Sequence, residues 1–177
     1  VHTQYGWQAY PHSANTEGFY CCLLRYTGET ASIGKSRHKM PGTTKDILGL
    51  KDKWLKKDSD LEIYSHNPNI HFANRNTAEK VSLLTGAYIR EFGILAGEIK
   101  GKDLVPSFGL ALSLDVSRNL PMVSLSKSAA LTYLRCGPLE ASTGQNGWHL
   151  ICYEDAVVGW GKKINQRWNN YHPKEYR

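Results

Sequence analysis

The sequence predicts an α+β protein in which short helices alternate with small mixed sheets, ending in a small twisted sheet or barrel. Strand-like apolar runs such as Gly18–Tyr26 and Trp148–Tyr153 alternate with stretches of helical spacing such as Thr43–Leu55. Closely set turn signals, among them Thr27-Gly28, Asn67-Pro68-Asn69 and Gly137-Pro138, divide these runs, and no long-period repeat is visible. The 177 residues are 41% hydrophobic and 21% charged, a globular composition that excludes disordered, collagenous and disulfide-scaffold classes. That length suits one ordinary domain or two small ones.

Gly18–Tyr26 reads as an aromatic-rich strand, and Ser32–Thr44 as a basic loop and plausible linker. A helix follows from Thr43, where Asp46 supplies a capping-box-like start and Ile47, Leu48, Leu50, Trp54 and Leu55 form one apolar face. Leu61–Tyr64 and Ile70–Ala73 read as a hairpin about the Asn67-Pro68-Asn69 turn. Thr77 is placed to cap a short helix ending at Gly86, and a strand pair is expected over 87–99. Pro106 then opens an apolar helical stretch through Leu114, and the turn-rich Asp115–Pro121 reads as a boundary between subdomains. Beyond it come a strand at Met122–Leu125, a helix capped by Ser126 and stopped at Gly137-Pro138, and a hairpin turning at Glu154-Asp155.

The formal net charge is +6, and the excess is localised. Residues 29–60 hold eight cations against five acids and residues 117–177 eight against four, whereas residues 1–28 and 61–116 are nearly balanced. A localised basic surface gains affinity for polyanions through counterion release, which makes nucleic acid the leading partner class. No apolar run approaches the ~18 residues that a membrane span requires, so a soluble protein without a membrane partner is expected, and cysteines read as reduced core thiols together with the lack of an NxS/T acceptor fit a cytoplasmic setting. Val1 opens the chain without a signal-peptide pattern, which reads as a mature or excised piece of a longer protein. Cys21, Cys22, Cys136 and Cys152 form no CxxC pair, so no metal is expected, and Cys21 and Cys22 read as small core residues.

Ile33-Gly34-Lys35-Ser36 ends like a phosphate-cradling loop, but the spacing needs glycine where Glu29 stands. Neither a GxSxG elbow nor a GxGxxG loop occurs, which weighs against a self-contained enzyme. The sharper constellation is C-terminal: Gly159-Trp160-Gly161-Lys162-Lys163, then Arg167-Trp168-Asn169-Asn170-Tyr171-His172-Pro173-Lys174, ending at Arg177. Cations that meet phosphates, interleaved with aromatic faces that stack on unpaired bases, suit RNA loops and single strands. The competing reading makes Trp160, Trp168 and Tyr171 core or rim residues and leaves only the cations exposed.

In order along the chain, these features resemble the C-terminal half of RsmF (YebU)-type RNA cytosine-C5 methyltransferases. YPHSANTEGFYCCLL, at residues 10–24, is similar to the closing segment of that family's catalytic domain. Gly97-Glu98 through PSFGLAL, residues 106–112, is similar to its first C-terminal domain, with Phe108 where the family usually has His. VVGWGKK and NNYHPKEYR, within residues 147–177, look like its PUA-like RNA-binding domain. The resemblance implies three parts: residues 1–28 closing a methyltransferase domain, an α+β domain over 29–116, and a PUA-like β-barrel over 117–177.

It also implies S-adenosylmethionine as the parent enzyme's cofactor and a pair of cysteines in TC and PC motifs. Here Tyr20, Cys21, Arg135 and Ile151 precede the four cysteines, so none fits, and the fragment itself is expected to be inactive and to hold no cofactor. The implied role is to grip small-subunit rRNA for the parent's own catalytic domain, in the service of rRNA processing. Lys162, Lys163, Arg167, Lys174 and Arg177 are the expected phosphate contacts, Lys127 and Arg135 a second rank, and Trp168 or Tyr171 the stacking residue. His12 and Phe19 would border the parent's catalytic pocket. Two rival classes remain: a module docking on ribosomal proteins or assembly factors, which predicts an exposed apolar patch, and a small enzyme with an unrecognised pocket.

Overall fold

The computed structural model describes residues 1–14, 17–22, 45–66, 68–84, 89, 91–101, 103–140 and 144–176. The expected linker at 32–44, the loop at 33–36, the Thr43 cap, the Gly86 helix stop and Arg177 lie outside the described residues. The chain divides into two compact units, Val1–Lys35 and Ser36–Arg177.

In the first unit, strands β1 (His2–Thr3), β2 (Gly6–Ala9) and β3 (Phe19–Cys21) form an antiparallel sheet in chain order, with a single helical turn, α1 (Pro11–Ala14), between β2 and β3. Trp7 pairs with Cys21 and Ala9 with Phe19. All three residues of β3 are exposed, and Cys21 and Cys22 are both exposed thiols rather than core residues. Alternation sends neighbouring side chains to opposite sides of a strand, but buries them only where a second layer covers the sheet. Trp7 and Phe19 are likewise about 60% exposed.

The second unit holds two four-stranded sheets. Strands β4 (Glu62–His66), β5 (Asn69–Ala73), β6 (Ile94–Lys100) and β7 (Asp103–Pro106) are antiparallel neighbours in chain order, and β4 and β5 form the expected hairpin. The second sheet has the order β11 (Arg167–Asn170), β10 (Ala156–Ile164), β9 (Gly147–Tyr153), β8 (Met122–Leu125), with β8 parallel to β9. The fold is α+β, as the pattern predicts. Among the described residues the edges of the second sheet are β11 and β8.

Helices fill the gaps. In α2 (Lys45–Trp54), Ile47 and Trp54 are buried and Leu50 is half-buried, but Leu48 is 52% exposed and stands off the apolar face expected for it. Helix α3 (Arg75–Leu83) begins directly after β5, so its cap is Asn74, whose side chain accepts from the Thr77 amide at 2.8 Å. Thr77 is thus the donor of that cap rather than the cap itself. Helix α4 (Phe108–Leu112) is capped by Ser107, and α5 (Lys127–Leu134) by Ser126, as its sequence predicts. At the end of α5, Cys136 takes the left-handed conformation, and the Cys136 and Gly137 amides donate back to Tyr133 and Thr132. These two bonds are the pair a Schellman motif makes.

A large core runs through the second unit, with smaller clusters beside it. The segment Asp115–Pro121 is a turn, and it is stitched to α2: Val116 bridges Leu55, and the Ser117 amide donates to the Trp54 carbonyl at 2.9 Å. Trp160 is fully buried, edge-on to Trp54 with ring centroids 5.5 Å apart, and its indole N–H donates to the Ser107 carbonyl at 2.7 Å. Trp148, Leu150, Cys152 and Trp160 lie on one face of the second sheet and pack with Phe72, Ala96, Leu104 and Leu110. Ile151, on the other face, packs against Ala130 and Tyr133 of α5 and against Leu139.

Candidate nucleic-acid interface

The basic, aromatic C-terminal run becomes the β10–β11 hairpin and the short 3₁₀ turn Lys174–Tyr176. Two tight connections shape it. Glu154 and Asn165 hold positive φ at the turns before and after β10, and the Asn165 amide is held by the Asn146 side chain at 2.8 Å. Gly159 permits α5 to sit close, because a Cβ there would lie 2.3 Å from the Tyr133 hydroxyl. That hydroxyl donates to the Trp160 carbonyl at 3.0 Å, and burial pushes its pKa above the usual tyrosine value.

Strand alternation separates the two adjacent lysines. Lys162 pairs across β10–β9 with Trp148, and its ammonium lies 5.0 Å from the centre of that ring. Tyr171 meets Trp148 edge-on at 4.4 Å and is 37% exposed. Lys162, Trp148 and Tyr171 therefore form one cluster, with the buried Trp148 as its seat. Arg167, opposite Ile164, shares that face by register and is exposed.

Lys163 belongs to the other face. It pairs with Trp168, its ammonium lies 5.8 Å from that ring, and it donates to the Gly144 carbonyl at 2.8 Å. Trp168 in turn meets the buried His149 at 4.8 Å. Both clusters place a cation over an aromatic ring, an arrangement worth about 0.5–1 kcal/mol at exposed sites.

The other expected contacts are spread more widely. Lys127 is exposed at the first position of α5, Arg135 is exposed at its C-cap, and Lys174 is exposed in the 3₁₀ turn. Two residues that the sequence pattern did not single out hold the C-terminal segment in place. Asn170 donates to the carbonyls of Tyr133 and Gly137 at 2.8 and 2.9 Å and accepts from the His172 amide. His172 is buried between Phe108 and Tyr133, and that burial lowers its pKa against the opposing pull of Glu175. Only the placement of β11 and the segment after it against α4 and the end of α5 reveals such partners. A periodic pattern in one strand does not name the residue opposite.

In the first unit, His12 is exposed and stacks on Tyr10 at 5.5 Å, and Phe19 is exposed on β3. Among the described residues no three His, Cys, Asp or Glu side chains are grouped to hold a metal ion. No helix among them is long and apolar enough to cross a membrane.

Residues 121–177 match the family model of the methyltransferase RsmF PUA domain. The match begins at Pro121, immediately before β8, and takes in the whole second sheet, α5 and the 3₁₀ turn. The C-terminal third of the chain is thus similar to the RsmF PUA domain, a likeness that suggests an RNA-binding module, and both cation–aromatic clusters lie inside the matched stretch. No curated protein matches the chain.

Proposed function

We propose that the chain is the RNA-binding C-terminal module of an S-adenosylmethionine-dependent rRNA cytosine-C5 methyltransferase. The observation that carries this reading is the match of residues 121–177 to the RsmF PUA domain. The Lys162–Trp148–Tyr171 cluster within that stretch supports it, because it offers a phosphate contact beside an exposed aromatic ring. In this reading residues 117–177 complete a PUA-like barrel and residues 29–116 form the first C-terminal domain. Residues 1–28, with His12 and Phe19, border the pocket of a catalytic domain.

Lys162, Lys163, Arg167, Lys174 and Arg177 contact phosphate, Lys127 and Arg135 extend the footprint, and Tyr171 or Trp168 stacks on an unpaired base. Phosphate contacts set register and most of the affinity, so the module delivers small-subunit rRNA and the catalytic domain performs the methyl transfer, in the cytoplasm. S-adenosylmethionine belongs to that domain; no residue of this chain is assigned to hold it.

Replacing Lys162 with alanine tests the footprint. The expected result is weaker binding across RNA sequences and a salt slope reduced by roughly one. An unchanged slope removes Lys162 from the interface.

A further inference from the structure

A cleft of about 560 Å³ opens between the start of β6, α4 and the 3₁₀ turn, and no residue of either cation–aromatic cluster lines it. We propose that it is a docking site for an arginine or lysine side chain of a basic peptide. Charge is the first argument: its described lining includes Glu91 and Glu175 and no Lys or Arg, although the chain as a whole carries +6. Two acids in one cleft repel a phosphate backbone and attract a cation.

The walls supply the second argument. Phe108 and Tyr176 line the cleft with ring centroids 5.5 Å apart and planes tilted by 45°, a pair of aromatic rings of the kind that attracts a guanidinium or ammonium. Leu95 and Leu112 line it as well and suit the methylene stem of a long basic side chain.

The third argument is a missing side chain. Gly109 sits inside α4, where a helix disfavours glycine relative to alanine. Nothing in the packing demands it, because an added Cβ would meet only the Ser107 hydroxyl at 3.8 Å. The absent methyl is instead volume at the cleft wall, which Gly109 lines. No lining residue belongs to the proposed RNA footprint, but Lys174 of that footprint lies in the same 3₁₀ turn, so Glu91, outside the turn, is the position that separates the two readings.

The test uses the full chain and a short fluorescein-labelled peptide of alternating arginine and glycine, followed by anisotropy. Saturable binding is expected, and Glu91→Gln or Glu175→Gln should weaken it about tenfold, a loss in keeping with one paired charge beside an aromatic wall. Gly109→Ala should weaken the peptide while raising the melting temperature, a combination that misfolding does not produce. Glu91→Gln should leave RNA affinity unchanged. Absence of peptide binding at low salt, or binding that ignores all three substitutions, overturns the proposal. So does displacement of the peptide by an unlabelled oligocytidine whose own affinity falls with Gly109→Ala, since that result assigns the cleft to an unpaired base.

Discussion

Lys162 and Lys163 are neighbours in the chain and opposites in the sheet. Lys162 rests on Trp148, which belongs to the large core shared with α2, β5, β6, β7 and α4. Lys163 rests on Trp168, which packs on the smaller cluster beneath α5, and it is tied to the Gly144 carbonyl. A pair of adjacent cations in a strand is therefore two half-sites on different foundations, and treating it as one basic patch merges surfaces that the fold keeps apart.

The largest expected effect breaks the Lys162 side at its base. Trp160→Ala removes a fully buried ring and its bond to Ser107 and should cost about 3–5 kcal/mol, measured by denaturant unfolding. A loss below about 1 kcal/mol would mean that the shared core is not what supports this face. Asn170→Ala acts on the α5 side instead. It leaves the Tyr133 and Gly137 carbonyls without their side-chain donor and should cost about 1–3 kcal/mol in the same experiment.

A smaller effect sharpens the comparison in binding. In double-mutant cycles on RNA affinity, Lys162→Ala and Tyr171→Ala should couple by about 0.5 kcal/mol or more, because both lean on Trp148. Lys162→Ala and Lys163→Ala should add within about 0.3–0.5 kcal/mol. Coupling of the two lysines instead would place them in one contact.

The smallest effect is a pH slope. Burial lowers the His172 pKa in the folded state, so the unfolded chain binds the proton more readily. The stability this group contributes is present above its unfolded value near 6.5 and is lost as pH falls through the lower folded value. His172→Gln should flatten that acid-side loss in unfolding curves collected as a pH series.

Much of the second unit was legible from local chemistry. The Ser126 cap, the β4–β5 and β9–β10 hairpins and the core role open to Trp160 follow from turn residues and periodicity, and the structure has them. The misses share a cause. Cys21 and Cys22 lie in an apolar run that reads as core, yet burial depends on a covering layer that no strand pattern specifies. Thr77 and Asn74 are both competent caps, and the position where β5 ends decides between them. The seat of Lys162 was illegible for the same reason, since Trp148 becomes its partner only through the register of β9 on β10. Pairing across strands is long-range information.

The central claim is that this chain grips RNA. Its most direct test is fluorescence anisotropy of the chain with a small-subunit rRNA fragment and with an unrelated structured RNA, across a salt series. The account predicts micromolar or tighter binding that weakens steeply as salt rises, with rRNA preferred. Absence of binding to either RNA at low salt would contradict it.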